Sequence, residues 1–515
     1  MGAFSQIPED CKLIYNPSFE ELDSYIEKMP NAKRTKYGNW NISTRVVARS
    51  APSTYIVSDN PEAHTAQTMS KEEGDKMATI QNEYLKDKEM IVIDGYIGND
   101  PEFRVKARLI VEPCAANIAA MQKTMYYPLE TYENENYEPE VTIIYTPNLK
   151  AEGYPSDRLI ACNLDENVTR IFESDYFGES KKSGLRMWNK MVYDRGGIPL
   201  HAGAKIVPTD QGEKTLLIIG LSGTGKTTTT FTSQNNSRPV QDDFLALMPD
   251  GRVFATEAGC FAKTFGLNPE TEAAIHTATL DSKAYLENVS MNEEGELDFF
   301  DTSYTKNGRA VFSLDAIPNA AKASEIEKAD ALIILNRNEN IIPAVAKLSP
   351  KQAAAYFMLG ETTGTSAGGA QEAGKALRIP GTNPFFPLLD DQQGNRVEEL
   401  LGKIDLEVFI MNTGRVGGQE AEQSSKKVKI PHSSACVKGI AEGTIKWKPD
   451  PDFGYMVAVE VPGINDEEIV QPKKLYERTG RMDEYNQMVE KLKSERLEYF
   501  QKYPKLNDSI TSIFK

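Results

Sequence analysis

The sequence is poor in cysteine and histidine, with five of the first and four of the second in 515 residues. Cys11, Cys114, Cys162, Cys260 and Cys436 are odd in number, far apart and never in a C-x-x-C pair. This argues against a disulfide framework or a thiolate zinc site and fits a reducing, cytoplasmic compartment. Long apolar runs are missing too. LLIIGL at 216–221 is strand-sized, so no membrane partner is expected. The start, MGAFSQIPEDCKLIY, has neither a basic leader nor an apolar core, and Gln6 stands where a myristoylation pattern wants Ser or Thr. Positive charge is also short. Lys and Arg number 58 against 75 Asp and Glu, a net charge of −17. That disfavours a nucleic-acid partner, because such binding rests on clustered cations. It leaves room for a small anionic ligand in a local cationic cleft.

What is present reads as a soluble α/β chain. Apolar residues make up 40% and charged residues 26%, too apolar a mixture for wholesale disorder. The length suggests roughly two to four domains. Segments 18–30 and 70–88 read as helices, each opening at a Ser with acids in its first turn. MIVIDGYIGNDPEFRVKARLIVEP (90–113) reads as strand, turn, strand, and 141–147 and 158–164 as further strands. Strands are also expected at 215–220, 329–336 and 406–414, and a hairpin with a Pro-Asp-Gly turn at 244–255. The run 360–390 is loop-like and suits a mobile lid. The tail, 465–503, alternates charge with apolar residues at helical spacing and reads as an amphipathic helix docked on the body.

The sharpest motif is GLSGTGKTT at 220–228. It satisfies G-x-x-x-x-G-K-[ST], follows a strand and opens a helix, the context a phosphate loop requires. Gly220, Gly223 and Gly225 let backbone N–H groups converge on phosphate oxygens. Leu221, Ser222, Thr224 and Thr228 complete the nucleotide cradle. Lys226 neutralises the β- and γ-phosphates, and the Thr227 hydroxyl suits Mg²⁺. Asp242 and Asp243 follow, either as a plain turn or as the carboxylates that a phosphate-bound cation needs. His201, in GGIPLHAGAK, and Lys181-Lys182, in FGESKKSG, read by themselves as a packed histidine and surface charge.

In order along 45–440, these features resemble the ATP-dependent phosphoenolpyruvate carboxykinases. The family's Arg-Ser-Pro element is similar to ARS at 48–50, and its D-G-x-x-G-x-D-P-x-x-R to DGYIGNDPEFR at 94–104. PNLK (147–150), YFGESKKS (176–183), HAGA (201–204), QDD (241–243), EAGCFAK (257–263), LENV (286–289) and TKNGR (305–309) fall in register with further family segments. The resemblance implies an α/β, two-domain carboxykinase-like fold with a phosphate-loop domain. An acid-binding domain is expected over 1–200, a nucleotide and metal domain over 201–450 and a helical extension over 451–515. It implies an enzyme that converts oxaloacetate and ATP to phosphoenolpyruvate, ADP and CO₂, with Mn²⁺ and Mg²⁺ as cofactors. Lys182, His201 and Asp243 would hold Mn²⁺, and Thr227 the nucleotide's metal. Arg49, Tyr176, Ser222 and Arg309 would hold the organic acid. Lys226, Lys263 and Arg309 would surround the γ-phosphate, with Lys181, Lys182 and Asp242 also at work in catalysis. Lys427 and Ser433, in KVKIPHS, would flank the base.

The departures fall on the pocket walls. Phe177 replaces a glycine and is expected to narrow the acceptor pocket beside Tyr176. Ser180, Ala202, Gly203 and Gln241 replace family residues, and RIPGTNPFFP (378–387) stands where a Phe-Ser-Ala-Cys-Phe-Gly segment is expected. A carboxykinase-fold kinase with another small or protein acceptor is the alternative enzyme. A nucleotide-binding regulator is the non-enzymatic one, opposed by Lys182, His201, Asp243 and Arg309.

Overall fold

The computed structural model describes residues 3–130, 137–221, 223–232, 234–364 and 375–515. Two compact units divide the chain. The first is Met1–Arg195 with Ala255–Pro318 and Phe385–Leu389, and the second is Gly196–Phe254, Asn319–Pro384 and Asp390–Lys515. These boundaries differ from the expected ones at 196–200 and 385–389, and most widely in two longer segments. Segment 255–318 belongs with the first unit, and the tail 451–515 with the second. Strand pairing is the reason. Tyr285–Glu287 pairs in parallel with Trp40–Ile42, and Met456–Glu460 pairs antiparallel to Val345–Leu348.

The first unit holds a mixed eight-stranded sheet. Its order is Lys12–Tyr15, Glu89–Ile97, Val105–Val111, Val141–Thr146, Val168–Phe172, Leu159–Asn163, Thr54–Val57 and Thr68–Met69. A five-stranded sheet follows the order Gly259–Lys263, Arg309–Ser313, Tyr285–Glu287, Trp40–Ile42 and Ala32–Arg34. The two helices expected near the start form as Phe19–Ile26 and Lys71–Leu85. Their Ser18 and Ser70 side chains accept the N–H groups of Glu21 and Glu73, which removes orphan donors from each first turn. Helix Phe177–Asp194 packs on the large sheet. Glu179, Lys182 and Arg186 recur along it at steps of three and four, so they share one face.

The second unit is built on another eight-stranded sheet. Its order is Arg238–Gln241, Ala202–Thr209, Gly212–Ile219, Ala331–Asn336, Glu407–Asn412, Val345–Leu348, Met456–Glu460 and Lys446–Pro449. Gly212–Ile219, Ala331–Asn336 and Glu407–Asn412 run parallel at its centre. Their continuous apolar runs follow from burial on both faces, as parallel sheets require. The expected 244–255 hairpin forms from Leu245–Leu247 and Val253–Ala255. The expected lid region carries a short antiparallel pair, Glu361–Thr363 with Ala376–Arg378, then a turn at Pro380–Thr382 and a helix from Asp390. Residues 365–374 lie outside the described residues.

The tail is three helices rather than one: Glu467–Val470, Pro472–Arg478 and Met482–Phe500. Pro472 cannot donate a backbone hydrogen bond and so opens a helix, and Gly480 separates the last two. Arg496 anchors the longest. It is fully buried, ion-paired to Glu361, and its guanidinium lies 4.9–5.1 Å from the ring centres of Tyr356, Phe453 and Phe514. Arg378 also reaches Glu361, at 3.4 Å.

In the first unit a buried carboxyl joins strand to helix. Glu287 Oε1 accepts the Phe177 N–H at 2.9 Å, at the first turn of helix Phe177–Asp194. Its Oε2 has no hydrogen-bond partner among the described residues. Burial pushes its pKa up to about 8, opposed by that N–H and by Arg309.

Two predictions follow from these buried charges. Arg496→Met leaves Glu361 without its main counter-charge and should cost about 3 kcal/mol or more in chemical denaturation. Glu361→Gln in the same chain should restore part of that loss. The second concerns Glu287. Between pH 4.5 and about 8 the folded chain keeps a proton that the unfolded chain loses. Unfolding therefore releases a proton, and this group makes stability fall as pH rises through that window. Glu287→Gln should match the wild type in thermal melts near pH 5 and exceed it near pH 8, by on the order of a few kcal/mol. A gap independent of pH would show that Glu287 is ionised throughout.

Candidate active site

The phosphate loop sits at the carboxyl end of Gly212–Ile219, with Arg337 and Thr413 following the two neighbouring parallel strands. Ligands of α/β sheets gather at such strand ends. The loop is held from within and from beside. Thr224 donates its hydroxyl to the Leu221 carbonyl at 2.7 Å, and Thr413 donates to the Thr224 carbonyl at 2.7 Å. A Cβ on Gly220 would lie 2.4 Å from Thr224 Oγ1, so no larger residue fits there. Gly225 takes φ +89°, a left-handed turn into helix Lys226–Phe231 that glycine makes without strain. Ser222 lies outside the described residues.

Lys226 donates to the Asp242 carbonyl at 2.8 Å and lies 3.9 Å from the Asp243 carboxylate. Thr227 donates its hydroxyl to Asp242 Oδ2 at 2.7 Å, which leaves the oxygen's lone pairs for a cation. A cavity of about 190 Å³ opens beside the loop. Gly223, Gly225 and Thr228 line its loop end, and Val428, Ile430, Val437 and Ser433 line a wall from the 426–442 region. Lys427 is exposed and is not among the residues that line this cavity.

His201 is fixed on three sides within the second unit. Its ring stacks on Phe244 with centres 5.0 Å apart, Nδ1 lies 2.8 Å from the Thr382 carbonyl and Nε2 lies 2.9 Å from Asp243 Oδ1. A carbonyl oxygen only accepts, so Nδ1 carries a proton. In the neutral ring Nε2 then presents a lone pair straight at a carboxylate oxygen. That juxtaposition calls for a proton or a cation between the two atoms. Imidazole nitrogen and carboxylate oxygen together suit a divalent metal such as Mn²⁺. Among the described residues no group of three His, Cys, Asp or Glu side chains is arranged for a metal, so this pair is at most part of a ligand set.

The organic-acid candidates lie in the first unit. Tyr176 is buried, and its hydroxyl accepts from Asn307 Nδ2 at 3.2 Å. Arg309 donates to Asn307 Oδ1 at 2.8 Å, so Asn307 joins the two. Arg309 stands over the Phe261 ring, 5.0 Å from its centre. Lys263 pairs across the strand ladder with Arg309. Burial, with Arg309 and Lys306 nearby, pushes the Lys263 pKa down to about 8. Arg49 and Lys182 approach the Phe385 ring at 4.6 and 4.7 Å, and Arg186 at 5.9 Å. Burial lowers the Arg49 pKa and Arg186 adds to this, against the pull of Glu179. Glu179 is itself buried and accepts the Ser50 N–H.

Two of the expected residues are engaged inside the first unit. Lys181 is 2% exposed and ion-paired to Glu257 at 3.0 Å, so much of its charge is spent on that partner. Phe177 is fully buried, its ring edge-on to Phe261 with centres 5.2 Å apart. It packs into the protein against that ring. Sequence reasoning passed over Phe385, Glu179, Arg186, Asn307, Arg337 and Thr413. Glu179 and Arg186 carried a signal in their helical spacing from Lys182. Phe385 carried none, because its approach to Lys182 spans two hundred residues of chain.

Comparison with known proteins agrees with this geometry. A family model described as phosphoenolpyruvate carboxykinase matches residues 11–467. A phosphoenolpyruvate carboxykinase (ATP) of Alkaliphilus oremlandii is 30% identical over 529 aligned residues, covering 99% of this chain and 97% of that protein. One from Caldanaerobacter subterraneus is 29% identical over 491 residues, covering 92% and 91%, and one from Bradyrhizobium diazoefficiens 30% over 424, covering 79% and 77%. With a family match across most of its length and the phosphate loop formed as the pattern requires, this chain belongs to the ATP-dependent phosphoenolpyruvate carboxykinase family.

Proposed function

We propose that the chain converts oxaloacetate and ATP to phosphoenolpyruvate, ADP and CO₂. The observation that carries this reading is the phosphate-loop motif at 220–228, with Lys226 and Thr227 docked on Asp242, in a chain matched to the family over residues 11–467. In the reaction the C3–C4 bond of oxaloacetate breaks and CO₂ leaves. The electron pair moves onto the C2 carbonyl oxygen, giving the enolate of pyruvate. That oxygen then bonds to the γ-phosphorus as the bond to the β-phosphate oxygen breaks.

The residues of the chain act by charge and position, with no covalent intermediate. Arg49, Tyr176 and Arg309 hold the carboxylates of oxaloacetate. Lys263 and Arg309 offer positive charge to the enolate and the transferred phosphoryl group. Lys226 and the loop N–H groups hold the β- and γ-phosphates. His201 and Asp243, with Lys182 as the family pattern implies, would hold Mn²⁺, and Thr227 the nucleotide's Mg²⁺. A divalent cation there supplies Lewis-acid stabilisation of the oxyanion. A lysine ligand must be neutral, which requires a large drop from its usual pKa near ~10.4. A bound dication would itself push that pKa down.

The deciding experiment measures oxaloacetate-dependent ADP release and phosphoenolpyruvate formation with Mn²⁺ and Mg²⁺ together. The wild type should turn over, and Lys226→Ala should lose at least about 100-fold in kcat/KM while melting normally. Turnover near the wild-type level in the folded variant overturns the assignment of the loop. ADP release only with a different hydroxyl acceptor overturns oxaloacetate as substrate. For the metal ligands, Asp243→Asn should weaken Mn²⁺ binding about tenfold or more in electron paramagnetic resonance titrations. Equal Mn²⁺ affinity in both proteins removes Asp243 from the ligand set.

A further inference from the structure

The cavity beside the phosphate loop contains a cation that neither motif nor mechanism uses. Lys205, on strand Ala202–Thr209, lines that cavity and is 2% exposed. Its Nζ donates to the Thr229 carbonyl at 2.8 Å and the Thr232 carbonyl at 2.9 Å. Those carbonyls belong to the end of helix Lys226–Phe231 and the residue that caps it. An ammonium group has three N–H bonds, so one remains. No carboxylate approaches it among the described residues, and burial alone pushes its pKa down to about 7. A lysine taken out of water without a counter-ion is costly unless something offsets it. Capping the helix is a partial offset, since cations are favoured at helix carboxyl ends.

The arrangement of the cavity says what the remaining donor meets. At one end the cavity is lined by the phosphate-loop residues Gly223 and Gly225 and by Thr228. Thr229 and Thr232 lie three and six residues past Lys226, roughly 5–9 Å further at the ~1.5 Å helical rise. With the phosphates of a nucleotide at the loop, that end of the cavity would receive the nucleoside part. Val428, Ile430 and Val437 give this part an apolar wall suited to a flat base. Against such a wall a buried N–H donor selects for a ring-nitrogen acceptor, because an aromatic carbon in its place leaves the donor unsatisfied.

We propose that Lys205 is a specificity-determining residue for the nucleotide, donating its third N–H to a ring nitrogen of the base. The proposal rests on the reading of this cavity as the nucleotide site. Lys205 thereby ties two functions together. It holds the end of the helix whose start binds phosphate, and it reads the base that those phosphates carry.

The test compares ATP with its 1-deaza, 3-deaza and 7-deaza analogues, each lacking one ring nitrogen, as substrates of the wild type and of Lys205→Met and Lys205→Arg. In the wild type one analogue should show a KM about tenfold or more above that of ATP, the size expected for losing a hydrogen bond from a charged donor. In Lys205→Met that penalty should shrink to threefold or less. A ratio of two KM values on one preparation is independent of the fraction folded, so a partly unfolded variant remains informative. If Lys205→Met does not fold, the Lys205→Arg ratio must differ from that of the wild type, because the planar guanidinium cannot reproduce the same contact. If all three penalties are unchanged in both variants, Lys205 only caps the helix and the proposal falls. Lys226→Met separates the two levels of failure. Unaltered ATP binding in that variant by equilibrium dialysis overturns the nucleotide reading of the cavity. Weakened binding there, with unchanged analogue ratios in the Lys205 variants, overturns the role of Lys205 alone.

Discussion

A protein of net charge −17 that handles anions must keep some of its cations away from its own carboxylates. Most of the rest of the structure is arranged around that constraint. Cations that hold the fold are paired, and their pKa values are pushed up. Arg496 has Glu361, Arg108 has Asp94, and Arg45 has Glu173 and Asp175. Three cations beside the candidate sites are pushed down by burial: Arg49, against the pull of Glu179, and Lys263 and Lys205. Direction of shift is not sufficient by itself. Arg170 and Lys123 are also lowered by burial, and they bind backbone carbonyls as packing residues. What distinguishes Lys205 is that it combines this environment with a place on the cavity wall. A desolvated cation with little internal compensation is a cost to folding. It is also a field that costs no reorganisation when an anion arrives.

The phosphate loop was legible from sequence because its requirements are local. Nine consecutive residues carry the glycines, the lysine and the hydroxyl, and the strand before them and the helix after them are readable from pattern alone. The two early helices were legible for a similar reason, each announced by its Ser cap. The organic-acid side was harder. Phe385 meets Arg49, Lys182 and Arg186 only through tertiary packing, and no periodicity connects them. The compact units differ from the expected contiguous segments where the chain leaves a unit and returns. The contiguous stretch 201–450 hides the excursion 255–318, whose strands complete the sheet begun by Trp40–Ile42. Pattern gives the strands, but nothing local states which sheet receives them.

The departures from the family pattern now have particular physical settings. Gln241 is buried and donates its side-chain amide to the Phe244 carbonyl, behind the ring that stacks on His201. It therefore supports the wall of the site from outside. Phe177 adds its ring to Phe261, the same ring over which Arg309 stands and Lys181 lies at 5.5 Å. The added ring packs against the same Phe261 that Arg309 approaches.

His201 shows how a small geometric fact narrows the chemistry. Thr382 fixes a proton on Nδ1, Phe244 fixes the plane of the ring, and Asp243 faces Nε2. With Nε2 unprotonated, two electron-rich atoms stand 2.9 Å apart, with Lys226 at 3.9 Å from the same carboxylate oxygen as partial relief. A second proton on the ring resolves the conflict as an ion pair, and a divalent cation resolves it as a coordination bond. The two solutions compete for one lone pair. Protonation therefore opposes metal uptake at this residue, and the same carbonyl that rules out the other tautomer presents Nε2 to whichever species fills the gap.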